Sequence, residues 1–308
     1  MSYKTVRSAL LLLLLAWLSA CTTLHTERVV NFEESIPASD LETIVFKNPT
    51  GFNLSDSRFH MQLGQYSANN VDVSGWIKTK FGPINKTIEN DILDNFLITG
   101  KLRLDFRSIK IQEKSLTQKH YYEIHGPQNN TVISSRCSRT RVIETESTKE
   151  IFPLEPETGK QSEQKTEKQR LIGNKIVCEI NHKEEIWTLV IVSDKTGLPL
   201  IQYQNDSNDA FEFKDPINAS KVFFDSKTGE QKAVLKENSP YEEYAGSQII
   251  DSSGHLGDLI YKGLGIFELR INRNQPESKK QQLLGAVYGI ALATFIDDTW
   301  IKTRPGFP

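Results

Sequence analysis

The last apolar segment of the chain, "LLGAVYGIALATFI" (residues 283–296), limits the possible folds more than any other feature. It carries no charge, with Lys279 and Lys280 shortly before it and Asp297 and Asp298 directly after it. As a helix it would be about 21 Å long, whereas the hydrocarbon core of a bilayer is about 30 Å thick. Apolar residues occur on all sides of the helix, which is typical of a helix surrounded by protein.

Within this segment, Gly285, Gly289 and Ala293 recur at four-residue spacing. Such a stripe of small residues lets another backbone approach closely. Two interpretations follow: a dimerising membrane helix, or a core helix packed tightly against strands. The short length favours the core helix. Its flanking charges oppose the helix dipole, with lysines before the positive end and aspartates after the negative end, so we expect burial to stabilise it.

Most of the remaining chain has the pattern of β-strands. From about Ile44, runs such as "LITGKLRLDFRSIKI" and "TVISSRCSRTRVIE" are rich in β-branched residues and alternate with polar ones. Further on, the turn signals "SDKTG", "DSKTG" and "DSSG" separate such runs, which is typical of tight hairpins. The sequence therefore predicts a mainly β fold, a many-stranded antiparallel meander or barrel with a buried C-terminal apolar helix.

This order of elements resembles the tubby-like fold, which includes the phospholipid scramblases and the LURP-one-like proteins. The resemblance lies between Lys175 and Asp298 and is carried by "VSDKTGLPL", "FFDSKTGEQ", "IIDSSGHLG" and "LLGAVYGIALATFIDD". It implies an antiparallel barrel with a terminal apolar helix threaded through it. Tubby itself binds phosphoinositides through basic residues. The sequence has no matching basic cluster, so we do not expect that activity here.

The N-terminus has the order of a secretory signal. "MSYKTVR" carries two positive charges, and the short apolar run "SALLLLLLAWLSA" follows it. The end of this run, "LSAC" (Leu18–Cys21), resembles the lipobox of bacterial lipoproteins. The resemblance implies cleavage between Ala20 and Cys21, diacylglycerol on the Cys21 sulfur, and a fatty acid such as palmitate on the new N-terminus. The alternatives are a plain secretory signal with an incidental cysteine and an uncleaved N-terminal anchor helix.

The same resemblance indicates a location and a division of the chain. The residue after the cysteine is Thr22, not the aspartate associated with retention in the inner membrane. This implies an outer membrane lipoprotein that faces the periplasm, held there by acyl chains that partition into lipid. We expect a signal peptide over 1–20, a membrane tether over 21–43 and a β-rich domain over 44–308.

Within the domain, residues 144–170 are charged and polar with almost nothing to bury, which predicts a flexible loop. Cys137 and Cys178 stand at nearly equal distances on either side of it. Two antiparallel strands flanking the loop would bring these cysteines opposite each other, within reach of a disulfide. An oxidising compartment favours that bond. The alternative is two separate small buried residues.

The basic run "RCSRTR" places Arg139 and Arg141 on the strand face of Cys137. These arginines are candidates to bind phosphate groups of lipids, lipopolysaccharide or a partner, or to pair with glutamates of the 144–170 segment. That segment is itself the predicted interaction element, because charged loops on a rigid scaffold often carry binding.

The sequence predicts no catalytic, cofactor or metal site. It lacks the motifs G-x-S-x-G, G-x-x-x-x-G-K-[ST] and H-E-x-x-H, and the six histidines are interpreted as surface or structural residues. With 37 basic against 39 acidic residues there is no basic surface for nucleic acid. We expect a lipid-anchored, non-catalytic binding or assembly module that contacts lipid or envelope proteins. The alternatives are an envelope enzyme without a local motif, and a membrane-inserting protein that uses the C-terminal helix.

Overall fold

The structure, a computed structural model, describes most of the chain. The described residues are 24–33, 36–47, 59–89, 106–151, 163–194, 199–225, 228, 230–236, 244–263 and 265–296. They form two antiparallel sheets, one α-helix near the C-terminus and a short 3-10 turn at Ala38–Asp40. The prediction of a mainly β fold with a C-terminal helix is confirmed.

The main sheet has 13 strands and runs antiparallel throughout. Its strands are β2 (Leu41–Lys47), β3 (Met61–Leu63), β4 (Tyr66–Val73), β5 (Ile77–Glu89), β6 (Phe106–His125), β7 (Thr131–Ile151), β8 (Glu163–His182), β9 (Glu185–Asp194), β10 (Leu200–Asn205), β11 (Ala210–Lys214), β14 (Gly246–Asp251), β15 (Gly254–Gly263) and β16 (Ile266–Asn272). The spatial order is β2-β16-β15-β14-β11-β10-β9-β8-β7-β6-β4-β3, and β5 pairs with β6 beside β4.

The two ends of this order nearly meet. Gly64 follows β3 at one end, and it lies against Ile44 of β2 at the other end. The sheet is therefore an almost closed, barrel-like wall. Both β2, early in the chain, and β16, late in the chain, belong to it, and they pair along their whole length from Leu41↔Asn272 to Lys47↔Ile266.

A second sheet of three strands packs on the outside of the wall. It consists of β1 (Leu24–Asn31), β12 (Asn218–Asp225) and β13 (Gln231–Lys236). Val30 and Ala219 of these strands are buried against Ala245, which directly precedes β14, and against Ile260 of β15. We refer to these three strands as the small sheet.

The small sheet corrects the predicted membrane tether over 21–43. Residues 24–31 form β1, residues 38–40 form the 3-10 turn and residues 41–43 begin β2, so most of this segment belongs to the folded domain. Arg28 hides the strand pattern, because it is a charged residue that points inward. It is 3 % exposed, and its guanidinium donates to the backbone carbonyls of Tyr244 and Tyr261, at 3.3 Å each.

The three predicted hairpins are confirmed by strand pairing. "SDKTG" connects β9 to β10, "DSKTG" connects β12 to β13, and "DSSG" connects β14 to β15. In the last of these, the carboxylate of Asp251 accepts from the Ser253 backbone at 2.7 Å, and Gly254 has a φ of 112° that favours glycine.

The C-terminal helix α1 (Glu277–Ile296) lies inside the main sheet. Every residue from Gln282 to Phe295 is buried. Gly285 and Gly289 are points of close approach. A methyl group added at Gly285 would come within 3.2 Å of Ile180, and one added at Gly289 would come within 2.9 Å of the Tyr122 hydroxyl and 3.1 Å of Leu189. The small-residue stripe therefore packs against β-strands, and the core-helix interpretation is confirmed.

Tyrosine hydroxyls from the wall hold the helix backbone. Tyr122 donates to the Gly285 carbonyl at 2.7 Å, and Tyr203 donates to the Gln282 carbonyl at 3.2 Å. Burial raises the pKa of both phenols, so both remain donors. These bonds fix the depth at which α1 sits in the sheet.

The lysines that oppose the helix dipole have acidic partners. Lys279 pairs with Asp251 in the β14–β15 hairpin, and Lys280 lies 3.7 Å from a carboxylate oxygen of Glu42 in β2. Each carboxylate offsets a positive charge at the positive end of α1. The first turn of the helix is thereby tied to both sides of the wall.

The structure also corrects the predicted flexible loop over 144–170. Residues 144–151 continue β7 and residues 163–170 continue β8, paired from Glu144↔Arg170 to Ile151↔Glu163. Residues 152–162 lie outside the described residues. The polar composition does not reveal these strands, because they are held by backbone pairing, with half-buried side chains on most of β7 and exposed ones on residues 164–170 of β8. An ion pair of 2.5 Å between Glu144 and Arg170 bridges the two strands, and such pairs add roughly 0.2–1 kcal/mol.

We expect Gly289→Leu to destabilise the fold by about 1–3 kcal/mol or more, because the new side chain would overlap Tyr122 and Leu189. Urea denaturation followed by tryptophan fluorescence measures this. The matched control is Gly75→Leu, because Gly75 is exposed and a Cβ there has open space around it. Equal stability of the two variants would contradict the packing of α1 against the sheet.

Candidate functional site

The predicted disulfide between Cys137 and Cys178 is confirmed. The two residues are register partners on β7 and β8, their Cα atoms are 4.0 Å apart, and their sulfurs are bonded. Both side chains point into the core. The lipidation site Cys21 and the cleavage site after Ala20 lie outside the described residues, so they remain predictions.

One buried histidine lies beside the disulfide. His120 of β6 is the register partner of Cys137, and it is 4 % exposed. Neither of its ring nitrogens has a hydrogen-bond partner among the described residues. Burial, together with the nearby Arg139 guanidinium, lowers the pKa of His120 to about 3. The imidazole is therefore neutral at physiological pH.

His120, Cys137 and Cys178 form the one group of metal-ligand residue types found in the described part of the chain. Their ligand atoms lie within 4.8 Å of one another. Cysteine binds metals as a thiolate, and the two sulfurs here are joined to each other. The group therefore has one available donor, the imidazole, and in this oxidised form it is a structural cluster.

Arg139, a candidate binding residue of the sequence, lies on β7 inside the sheet. It is fully buried in the wall, where its Nε donates to the Asn174 side chain and its Nη1 donates to the Ala293 carbonyl of α1, both at 3.1 Å. A cation at a helix C-terminus offsets the helix dipole. Arg139 is thus a cap for α1.

Arg141 lies two residues after Arg139, on the same face of β7. Its guanidinium stacks over the ring of Trp76, 4.6 Å from the ring centroid, and Arg139 lies 5.9 Å from the same ring. Trp76 is half-buried and precedes β5. A cation–π contact of this kind contributes about 0.5–1 kcal/mol where it is partly exposed. Both arginines therefore contribute to the packing of the sheet.

Two polar clusters have the residue types of an enzyme site. In the first, Lys279 donates to the Ser253 hydroxyl at 2.8 Å and to the Asp251 carboxylate. Partial burial alone would raise the pKa of Asp251, but hydrogen bonds from Lys279 and Ser253 outweigh burial and lower it. Because Lys279 is a donor to both groups, it is not arranged as a base for Ser253, and the cluster serves to hold α1.

In the second cluster, His255 lies 2.9 Å from Asp258, and its ring is 3.4 Å from the Gln248 amide. Burial raises the pKa of Asp258, and the contact with His255 opposes that rise. A nucleophile within reach of His255 would make this pair catalytic. The side-chain partners of His255 within the described ranges are this carboxylate, which is also on β15, and the amide of Gln248 on β14, with no hydroxyl or thiol. The contact between His255 and Gln248 therefore links the two strands.

The largest feature outside the core is an arm of four strands. We use "arm" for residues 77–89 of β5, 106–117 of β6, 140–151 of β7 and 163–172 of β8. In it, β5 pairs with β6, β6 with β7 and β7 with β8, whereas β9 pairs with β8 only from Gly173 onward. Its strands extend for about 35 Å.

The arm differs from the wall in burial. On β6, β7 and β8, the last buried side chains toward the arm are Gln118, Arg139 and Asn174. Residues 164–170 are exposed on both faces of β8. The sequence predicted an interaction element over residues 144–170 but assigned these residues to a loop, because backbone hydrogen bonds are not visible in the pattern of side chains.

Together these features define a class: an almost closed antiparallel sheet with a helix in its interior and a polar β-arm continuing from its wall. Comparison of the chain with family models, with curated proteins and with solved structures finds no match. Within the described residues, no helix has both the length and the hydropathy needed to span a membrane.

We expect the free energy of unfolding to fall on acidification because of His120. The unfolded chain takes up a proton near pH 6.5, whereas the folded protein does so only near pH 3, so stability is lost as the pH falls below 6.5. Between pH 7 and pH 5 this loss is about 2 kcal/mol. Urea denaturation at the two pH values measures it.

His120→Leu should remove this part of the pH dependence whatever its effect on absolute stability. His60→Leu is the matched control, because His60 is exposed. If wild type and His120→Leu lose the same stability between pH 7 and pH 5, the burial of a neutral His120 is contradicted.

Proposed function

We propose that this chain is a lipid-anchored protein of a bacterial cell envelope that acts as a non-catalytic binding or assembly module. The anchor is supported by the order of charge, apolar run and "LSAC" at residues 1–21. The compartment is supported by the disulfide between Cys137 and Cys178, since such bonds persist in oxidising surroundings. An outer membrane location, facing the periplasm, is supported by Thr22 in the position that guides sorting.

The observation that carries the binding role is the filled interior of the sheet. Small-molecule sites are usually concave and partly apolar. Here the concave side of the wall is packed with α1, whose residues Gln282 to Phe295 are all buried, and tyrosines satisfy its backbone. A partner therefore binds to an outer surface.

The arm is the outer surface that we assign to an envelope partner. It is polar on both faces of β8, it carries both signs of charge, and none of its side chains whose burial the structure describes is fully buried. A sheet that extends beyond its own core gains little stability from burial, which makes recognition a better account of its length than folding. Its partner is an envelope protein that complements a charged, hydrogen-bonding surface.

The tubby-like resemblance remains a proposal about the fold. It is supported by the order of elements, with an almost closed antiparallel sheet and a terminal helix in its interior. The buried arginines Arg28 and Arg139 are hydrogen-bonded to backbone within the protein. Phosphoinositide binding therefore forms no part of the proposed function.

The anchor is tested by Cys21→Ser in the bacterium that produces the protein. We expect the wild type to carry diacylglycerol on the Cys21 peptide by mass spectrometry and to sediment with membranes. The variant should lose both properties, because serine has no sulfur to alkylate. Thr22→Ser is the control and should keep both. A wild-type peptide that retains residues 1–20 or lacks an acyl group would refute the anchor.

The role of the arm is tested by shortening it. Glu146 and Lys168 are register partners, so replacing residues 147–167 with an Asn-Gly turn leaves the remaining hairpin in register. A photoreactive amino acid replaces Gln169, which is exposed and is retained in both proteins. We expect the full-length protein in membranes to cross-link an envelope protein, and the shortened protein to lose that adduct while keeping its disulfide.

The comparison site for the cross-link is Gln202 on β10, which is exposed and lies outside the arm. Adducts that form from Gln202 and not from Gln169 would place the partner on the wall and refute the assignment to the arm. An adduct that persists unchanged in the shortened protein would do the same.

A further inference from the structure

The first strand restricts how far the folded protein can lie from its anchor. Leu24 begins β1 and pairs with Asp225 at the end of β12. Cys21 precedes Leu24 by three peptide units, and an extended chain spans at most about 3.6 Å per residue. An acyl anchor on Cys21 therefore holds this end of the small sheet within about 11 Å of the bilayer surface.

The turn of the β12–β13 hairpin is at the same end of the small sheet. It follows Asp225, and β13 then begins at Gln231, which pairs with Phe224. We infer that this end of the small sheet, which carries Thr228 and Glu230, is the surface of the protein that faces the lipid headgroups. The inference rests on the proposed lipidation of Cys21, and it adds an orientation that the anchor alone does not specify.

The chemistry of the turn fits a headgroup layer. The run from Asp225 to Lys232, "DSKTGEQK", contains two acidic and two basic residues and no apolar side chain. Thr228 and Glu230 are exposed, and Glu230 forms an ion pair with Lys232 at 2.6 Å. A polar turn of balanced charge stays in the hydrated interface, because moving charges into hydrocarbon is costly. Its partner is therefore the lipid surface and not the acyl core.

The small sheet is held to the main sheet by hydrogen bonds and apolar contacts. Arg28 donates to the carbonyls of Tyr244 and Tyr261, and Lys262 donates back to the Arg28 carbonyl at 3.3 Å. Val30 and Ala219 add an apolar contact with the main sheet region. These buried and partly buried contacts attach the small sheet to the wall, so the orientation of one sets the orientation of the other.

The opposite end of the small sheet provides an internal reference. Ile217 immediately precedes β12, is 62 % exposed, and donates its backbone N–H to the Asn31 carbonyl at 2.9 Å. It is eight residues from Asp225, which corresponds to about 26 Å along a strand. A probe at Ile217 should therefore lie well away from the bilayer when the turn faces it.

The experiment uses the full-length lipidated protein with one added cysteine, Thr228→Cys or Ile217→Cys. Cys137 and Cys178 are bonded to each other, and an acylated Cys21 has no free thiol, so a fluorophore attaches at the added cysteine. The protein is reconstituted into vesicles of phosphatidylethanolamine and phosphatidylglycerol that contain a lipid with a nitroxide headgroup. We expect the probe at Thr228 to lose most of its fluorescence and the probe at Ile217 to keep most of it.

A control variant carries a flexible Gly-Ser linker of about 16 residues between Thr23 and Leu24, with a mean reach of about 20–24 Å. Quenching at Thr228 should decrease, and unchanged quenching would overturn the short tether as its cause. Equal quenching of the two probes, or stronger quenching at Ile217, would overturn the orientation. If mass spectrometry finds no acyl group and the protein stays off the vesicles, the proposed anchor fails, and the inference fails with it.

Discussion

The insertion of α1 into the sheet is the constraint on which the rest of the structure depends. Burying a large apolar side chain contributes about 1.5–3 kcal/mol, whereas a hydrogen bond contributes about 1 kcal/mol net. Each large apolar residue of α1 therefore contributes more to stability than a single hydrogen bond does. The bonds from Tyr122 and Tyr203 to helix carbonyls contribute less energy, but they fix the position of the helix. Gly285 and Gly289 allow the wall to approach closely enough for this arrangement.

The sequence predicts those parts of the fold in which side-chain pattern and backbone structure agree. The 283–296 segment is too short for a bilayer and apolar on all sides, and the three Asp…Gly turns join neighbouring strands. The pattern failed at β1, where the charged Arg28 points inward to two carbonyls. It also failed along the arm, where polar strands pair through their backbones with little burial. In both places the decisive interactions are backbone hydrogen bonds, which sequence periodicity does not report.

Among the candidate site residues, the spacing of Cys137 and Cys178 was sufficient to predict their bond. The role of Arg139 could not be predicted, because its partner in α1 is 154 positions away. The sequence nevertheless contained one indication that α1 needs compensating charges. The charges around the 283–296 segment oppose its dipole, and such a conflict implies compensating groups elsewhere. Asp251 and Glu42 near the first turn and Arg139 near the last turn are those groups. The neutral state of His120 likewise depends on a register with Cys137 that only the folded sheet reveals.

The pairing of β2 with β16 has a consequence for how the protein is made. The wall needs a strand from the beginning of the chain and one from its end, and α1 follows even that last strand. During synthesis the hairpins can form one after another, but the strand that pairs with β2 and the helix that fills the interior come only with residues 266–296. Long-range pairing of this kind slows folding. We therefore expect the sheet to stay incomplete until residues 266–296 are available, which suits the export to the cell envelope that the proposed lipid anchor implies.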